Sequence, residues 1–262
     1  MNNVSLISLQ TINYQDDCVF IKYRIIYKWW EIEMLSLRKK RESFTLLNTP
    51  VVFFILITIT ILRIYSLQVS PIELSVDEAQ YWHWSRNIDF GYFTKPPLIA
   101  WMISFSTFVF GNEEWAVRLF SPIIHLLISF VLWTIAKFTF GQNSGKVAAI
   151  IWIFTPAASL GGFIISTDTP LLLFWSLSLF FLLITLRQNS SFTSIFAGIF
   201  LGLAFLSKYA ALYFLIFLII WWLIYDRSRF LSIKNILIIF FTSVLIASKN
   251  LYWNYLNDFA TG

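Results

Sequence analysis

The sequence predicts an all-α protein, a polytopic transmembrane helical bundle of about seven spans with interfacial amphipathic helices in a long first extracytoplasmic loop. Three observations carry that expectation. Only 13% of the residues are charged, about half of the roughly 25% usual in soluble domains. Apolar runs close to the ~20 residues that a span requires recur along the chain. The basic residues lie between those runs, as a topology signal places them. A mean hydropathy of +0.72, with 28 Phe and 12 Trp, excludes a water-soluble domain. The net charge of +5 is thus assigned to the bilayer surface, and nucleic acid is not an expected partner. Cys18 is the single cysteine, so no internal disulfide forms and a cysteine-based metal site lacks ligands.

Taken in order, residues 1–48 read as a cytoplasmic N-terminal segment. Within it, 1–33 are mixed and weakly periodic, with Lys22, Arg24 and Lys28 beside Trp29 and Trp30. Met34 opens MLSLRKKRESF, a basic lead-in to an apolar helix. Residues 1–33 are therefore either an over-extended start or an amphipathic cytoplasmic segment. No small-residue cleavage site follows, so the first apolar helix is expected to remain in the mature protein. Residues 49–262 form the transmembrane domain, with candidate spans at 49–68, 117–139, 147–165, 170–187, 192–207, 209–225 and 234–249.

The apolar stretch 97–111 is short for a span, and charge decides how it lies. If it stays at the interface, the inner side collects the basic residues of 38–41, Lys137, Lys146, Arg187, Arg227, Arg229 and Lys234. The outer side then holds only Arg86, Lys95, Lys208 and Lys249. If it crosses, the later inner cations all move outside, against the positive-inside rule. The first layout makes 69–116 one extracytoplasmic loop. It also brings the turns near 166–169 and 208 to the same face.

That face carries the polar chemistry. SVDEAQYWHW (75–84) opens with adjacent acids, Asp77 and Glu78. Ser75 and Glu78 have the S-x-x-E spacing of a capping box, which accounts for Glu78 without catalysis. Asp77 is left with at most a helix-dipole role. Tyr81, Trp82 and Trp84 fit an interfacial aromatic belt. Tyr81 and Trp82, with Tyr92 of the next segment, are also candidate substrate contacts. In FGYFTKPPLIAW (90–101), Pro96 and Pro97 stiffen the turn that bears Lys95. Lys95 is either a snorkelling lysine or a cation for an anionic headgroup. In IISTDTPLLLFW (164–175), Thr169 and Pro170 read as a helix start, and Asp168 is either a secondary cap or a second acid. Lys208, between two short spans, is a functional candidate because charge near the apolar zone is costly. Arg118 either anchors its span or binds phosphate. Arg63 is expected to snorkel outward, and His125 to be a packed polar residue. No metal-ligand spacing, Gly-rich phosphate loop or nucleophile elbow occurs, so no metal and no cofactor is expected.

DEAQYWHWS, GYFTKPPLIAW, FGNEEWAVRL, STDTPLLLFW and GLAFLSKYA occur in an order that resembles the protein O-mannosyltransferase/aminoarabinose-transferase superfamily of GT-C glycosyltransferases. The resemblance runs from about residue 49 to the C-terminus. It implies a membrane-embedded hexosyl or pentosyl transferase that moves a sugar, with inversion, from a polyprenyl-phosphate donor to a glycolipid, polysaccharide or protein acceptor. By resemblance Asp77 and Glu78 are the acidic motif, Asp77 being the catalytic position, and Asp168 is the second acid. Lys95 is the donor-phosphate residue, with Lys208 as a further basic position. Relatives continue beyond YWNYLNDFATG with more spans, so the chain is expected to be an N-terminal half. The competing readings are a lipid-linked oligosaccharide transporter or scaffold, and an inactive transferase fragment. A bacterial inner membrane, with the N-terminus cytoplasmic and the site extracytoplasmic, completes the expectation.

Overall fold

The computed structural model describes residues 48–224 and 231–258, and every regular element among them is helical. The expected leader 1–33, Cys18, the basic residues of 38–41, Arg227 and Arg229 lie outside the described residues. The order is α1 (Thr49–Val69), α2 (Val76–Ser85), α3 (Leu98–Phe110), α4 (Glu114–Arg118), α5 (Phe120–Phe140), α6 (Gln142–Phe154), α7 (Pro156–Gly161), α8 (Asp168–Gln188) and α9 (Ser191–Ser207). A 3-10 turn (Tyr209–Ala211), α10 (Leu212–Ile224) and α11 (Ile233–Leu256) complete it.

Among the described residues four stretches are long and apolar enough to cross a membrane: Thr49–Val69, Glu114–Phe140, Asp168–Gln188 and Ile233–Leu256. This makes the chain a multi-pass membrane protein. The expected spans 192–207 and 209–225 coincide with apolar helices of 17 and 13 residues, below the ~20 that cross a typical hydrocarbon core. The expected span 147–165 is broken in two. Pro156 has no amide hydrogen and cannot continue α6. Thr155 turns extended, and its hydroxyl accepts from the Ala158 amide to cap α7.

The break also explains Arg63, which does not snorkel. Its side chain is buried and donates from Nη2 to the Ile153 carbonyl at 2.7 Å and to Ser159 Oγ at 3.1 Å. The last carbonyls of an interrupted helix have no intrahelical donors, and a guanidinium there also meets the negative end of the dipole. His125 is packed as expected, 3% exposed, with its ring 5.8 Å from that of Trp152.

Helices α5 and α6 pair, as do α8 and α9, and α9 also packs along α11. Small residues make that last approach close. A Cβ on Gly198 would lie 2.7 Å from the Ile239 carbonyl, and one on Gly202 would lie 2.6 Å from Ile246 Cβ. Helix pairs in lipid gain from such proximity, because there is no hydrophobic drive between apolar surfaces. Polar bonds join α8 to α9: Ser178 Oγ donates to the Ala197 carbonyl at 2.9 Å, and the Thr185 and Thr193 hydroxyls pair at 2.7 Å.

Helix α3 folds back along α2. The indole of Trp101, near its start, donates to the Asp89 carbonyl at 2.8 Å. Near its end Arg86 holds Thr107 at 2.8 Å and Asn112 at 2.7 Å. Both ends of α3 are thus tied to residues 86–89, and its 13 residues fall short of the ~20 that a span requires. Phe105, Phe108, Val109 and Phe110 point outward, giving α3 an apolar outer face.

Candidate active site

The site is built where α2, the 162–168 loop and the end of α9 meet. Ser75 starts α2 with a complete capping box: its hydroxyl accepts from the Glu78 amide at 3.4 Å, and its own amide donates to Glu78 Oε2 at 2.9 Å. Glu78 does more than cap. It is 1% exposed, and Arg118 grips it with two bonds, Nε to Oε1 and Nη2 to Oε2, both at 2.8 Å. The Ile165 amide is a second donor to Oε1, at 3.0 Å. Burial pushes this carboxyl up, but Arg118 and the Ser75 and Ile165 amides outweigh it and hold Glu78 below the ordinary carboxylate value. The remaining Arg118 donors go to the Ile72 and Glu73 carbonyls at 2.8 Å. Arg118 is therefore engaged inside the fold, with its charge matched by Glu78.

Asp77, one residue earlier, faces the other way. It is exposed, and no hydrogen bond or ion pair to its carboxylate occurs among the described residues. Asp168, at the first turn of α8, accepts from Lys208 Nζ at 2.7 Å. That pair is partly exposed, at 55% and 36% for the two side chains, so it remains open to solvent and competition.

Tyr81 ties these groups together. It is 3% exposed. Burial raises its hydroxyl pKa to about 12, with further contributions from the charges of Asp77, Asp168 and Glu78, against an opposing contact with Thr167. The phenol thus keeps its proton at neutral pH. All the expected acids lie close enough to Tyr81 to be felt electrostatically. Trp84 lies 5.7 Å from Tyr81 and stacks on Tyr92 at 5.0 Å. Tyr92 is used structurally: its hydroxyl donates toward the Trp84 and Asn87 carbonyls and accepts from the Asp89 amide. Burial leads the rise in its pKa. Trp82 carries a buried indole N–H without a partner among the described residues, and Arg86 lies 5.4 Å from its ring centre.

Lys95 sits on the turn closed by the Tyr92 amide on the Lys95 carbonyl at 3.2 Å, ahead of the buried Pro96 and Pro97. It is half-buried and makes no ion pair among the described residues. The turn is anchored from a distant part of the chain that sequence reasoning missed. Asn250 Nδ2 donates to the Phe90 carbonyl at 2.7 Å, and Trp253 Nε1 to Asp89 Oδ2 at 2.8 Å. Tyr209, next to Lys208, bonds Asn250 at 3.2 Å and accepts from Asn254 at 2.9 Å. The available signal was the polar density of KNLYWNYLND near the end of an apolar helix. Among the described residues no group of three His, Cys, Asp or Glu side chains is placed to hold a metal ion.

Comparison with known proteins adds to this geometry. The family model described as "Dolichyl-phosphate-mannose-protein mannosyltransferase" matches residues 94–253, a stretch that includes Lys95, Asp168 and Lys208 and begins after Asp77. The chain is 33% identical over 208 residues to the lipid A galacturonosyltransferase RgtD of Rhizobium johnstonii, covering 79% of this chain and 44% of that protein. It is 30% identical over 64 residues to the putative mannosyltransferase YycA of Bacillus subtilis, 24% of this chain and 9% of that one. The fold resembles crystal structures of ArnT from Cupriavidus metallidurans. The TM-score is 0.68 for the form bound to undecaprenyl phosphate and 0.63 for the apo form, at 18% and 16% identity. In both cases 80% of this chain and 42% of that one are covered. The chain thus spans less than half the length of RgtD and of ArnT.

Proposed function

The chain belongs to the dolichyl-phosphate-mannose-protein mannosyltransferase family, and from that premise we propose that it carries the acid and phosphate-binding residues of an integral-membrane hexosyl or pentosyl transferase. The donor in this reading is a sugar on a polyprenyl phosphate, as the lipid in one ArnT structure suggests. The acceptor is a glycolipid of the lipid A class, following the RgtD similarity. Residues 49–262 supply the transferase's membrane domain, and the site faces the extracytoplasmic side of a bacterial inner membrane.

One observation carries the reading: of the acids around Tyr81, Asp77 alone is unpaired and solvent-accessible. Asp77 takes the proton from an acceptor hydroxyl as that oxygen bonds the anomeric carbon. The bond from that carbon to the donor phosphate breaks on the opposite face, so the configuration inverts. The departing phosphate keeps the electron pair and needs cations rather than a proton donor. Lys95 serves it directly, and Lys208 can do so by exchanging Asp168 for phosphate. Glu78 and Arg118 act through position, fixing α2 against the 162–168 loop. Tyr81, which keeps its proton, and the Trp82 indole are donors for substrate hydroxyls.

The test is sugar transfer by the whole enzyme with Asp77→Asn, an isosteric change that removes the base. Loss of about 10²–10⁴-fold with unchanged expression and fold supports the assignment, and wild-type transfer rejects it. The clustering of charge at one end of the helices favours this over a transporter, which requires a polar path through the spans.

A further inference from the structure

We propose that Lys249 is a further cation for a lipid-borne phosphate, on the helix bonded to the Lys95 loop. This rests on the reading of the site given above and extends it to a residue that no motif marks.

The argument starts from the helical repeat of α11. Residues three and four apart share a face, so Thr242, Ile246, Lys249 and Trp253 form one stripe. Its neighbours on that stripe all point inward. A Cβ on Gly198 would meet Thr242 Cβ at 2.7 Å, and one on Gly202 would meet Ile246 Cβ at 2.6 Å, both in α9. A Cβ on Gly91 would meet the Trp253 ring at 2.4 Å. Lys249 therefore lies between the contact with α9 and the contact with the Lys95 loop. A different stripe, Phe240, Val244, Ala247 and Leu251, lines an apolar cavity of about 200 Å³.

Lys249 is nevertheless exposed. Its other neighbours one turn away, Leu245 and Tyr252, are exposed, so Lys249 stands at the edge of the packed stripe, and charge in a spanning helix marks a functional position by default. Its ammonium rests 4.8 Å from the centre of the Phe90 ring, a cation–π contact that orients it without neutralising it. No carboxylate lies within ion-pair distance among the described residues. Asp89, the nearest acid along the loop, is occupied by the Phe90 amide at 2.7 Å and the Trp253 indole.

The neighbouring cations show why the position matters. Arg118 is matched by Glu78, and Lys208 by Asp168. Lys95 and Lys249 are the cations left without an acid on two elements that Asn250 and Trp253 lock together. Two ammonium groups without an acid partner, on elements joined by these bonds, suit a phosphate, either the donor's or that of a bilayer headgroup.

The whole protein in phosphatidylcholine nanodiscs distinguishes the possibilities by binding of labelled undecaprenyl phosphate, with undecaprenol as the uncharged control. The expected result is about tenfold weaker binding for Lys249→Gln, near-normal binding for Lys249→Arg, and no change for Lys234→Gln at the far end of α11. A second arm replaces part of the lipid by phosphatidylglycerol. If only phosphatidylglycerol retention falls in Lys249→Gln, the lysine serves a bilayer phosphate instead of the donor. Unchanged binding in both arms, with Lys95→Gln impaired, overturns the role of Lys249 and leaves the donor site standing. Equal binding of undecaprenol and undecaprenyl phosphate by the wild type rejects the donor site and Lys249 together.

Discussion

At the scale of single residues, two adjacent acids of similar sequence context have opposite fates. Glu78 is buried against Arg118, whereas Asp77 stays free. Removing one partner of a buried pair strands the other charge, which costs about 3–5 kcal/mol. Arg118→Met is thus expected to lower thermal stability in detergent more than Glu78→Gln combined with Arg118→Met, a comparison that unfolding curves make directly. The pH dependence follows from the depressed Glu78 pKa. Its stabilisation is fully present above its unfolded value, near 4.5, and is lost as pH falls through the lower folded value. The stability gap between wild type and Glu78→Gln is therefore expected to shrink as pH falls below that unfolded value, to close below the lower folded value, and to stay constant from pH 6 to 8. The S-x-x-E spacing already disclosed the cap. The partner in Arg118, 40 positions away, was not legible, because local spacing carries no information about a contact set by the packing of α2 on α4.

At the scale of elements, proline punctuation was legible at Pro96, Pro97 and Pro170 and was overlooked at Pro156. An apolar run of sufficient length conceals a break when hydropathy alone is summed, since proline removes a backbone donor without changing the apolar character. Arg63 supplies the missing partner at that break, and its burial follows from the exposed α6 carbonyls rather than from its own sequence neighbourhood. Arg63→Met is expected to destabilise the protein by about 2–3 kcal/mol, the scale of a charged hydrogen bond to a buried acceptor. It should also raise maleimide labelling of a cysteine placed at Leu160, because α7 loosens from α1. Unaltered labelling and unfolding would show that the break holds without Arg63. The close packing of α11 was equally hidden. Its dependence on Gly91, Gly198 and Gly202 is a matter of contact distance, so Gly91→Val is expected to displace Trp253 and shift its fluorescence to longer wavelength.

At the scale of the whole molecule, the long helices separate two ends of unlike chemistry. One holds Asp77, Glu78, Lys95, Asp168, Lys208 and the polar tip of α11. The other holds Arg187, which donates to the Phe138 carbonyl at 2.9 Å, and Asn235, which donates to Asn189 at 2.8 Å. The basic-residue count alone anticipated this grouping, because treating 97–111 as an interfacial stretch puts the turns near 166–169 and 208 beside the first loop. That expectation needed only the sign of charges between apolar runs, so it does not depend on the individual span boundaries. The side of the membrane on which each end lies is open to direct measurement. Cys18 is the single cysteine, so Cys18→Ser provides a clean background for reporters at positions 77, 168, 249, 143 and 188. An impermeant maleimide added to intact cells is expected to label the first three and to reach the last two only after permeabilisation. Labelling of 77 and 168 from opposite sides would contradict the ion-paired end seen here and dismantle the proposed site. Uniform labelling of both from the cytoplasm would keep the site and reverse its orientation, which would require donor and acceptor to be presented at the inner face.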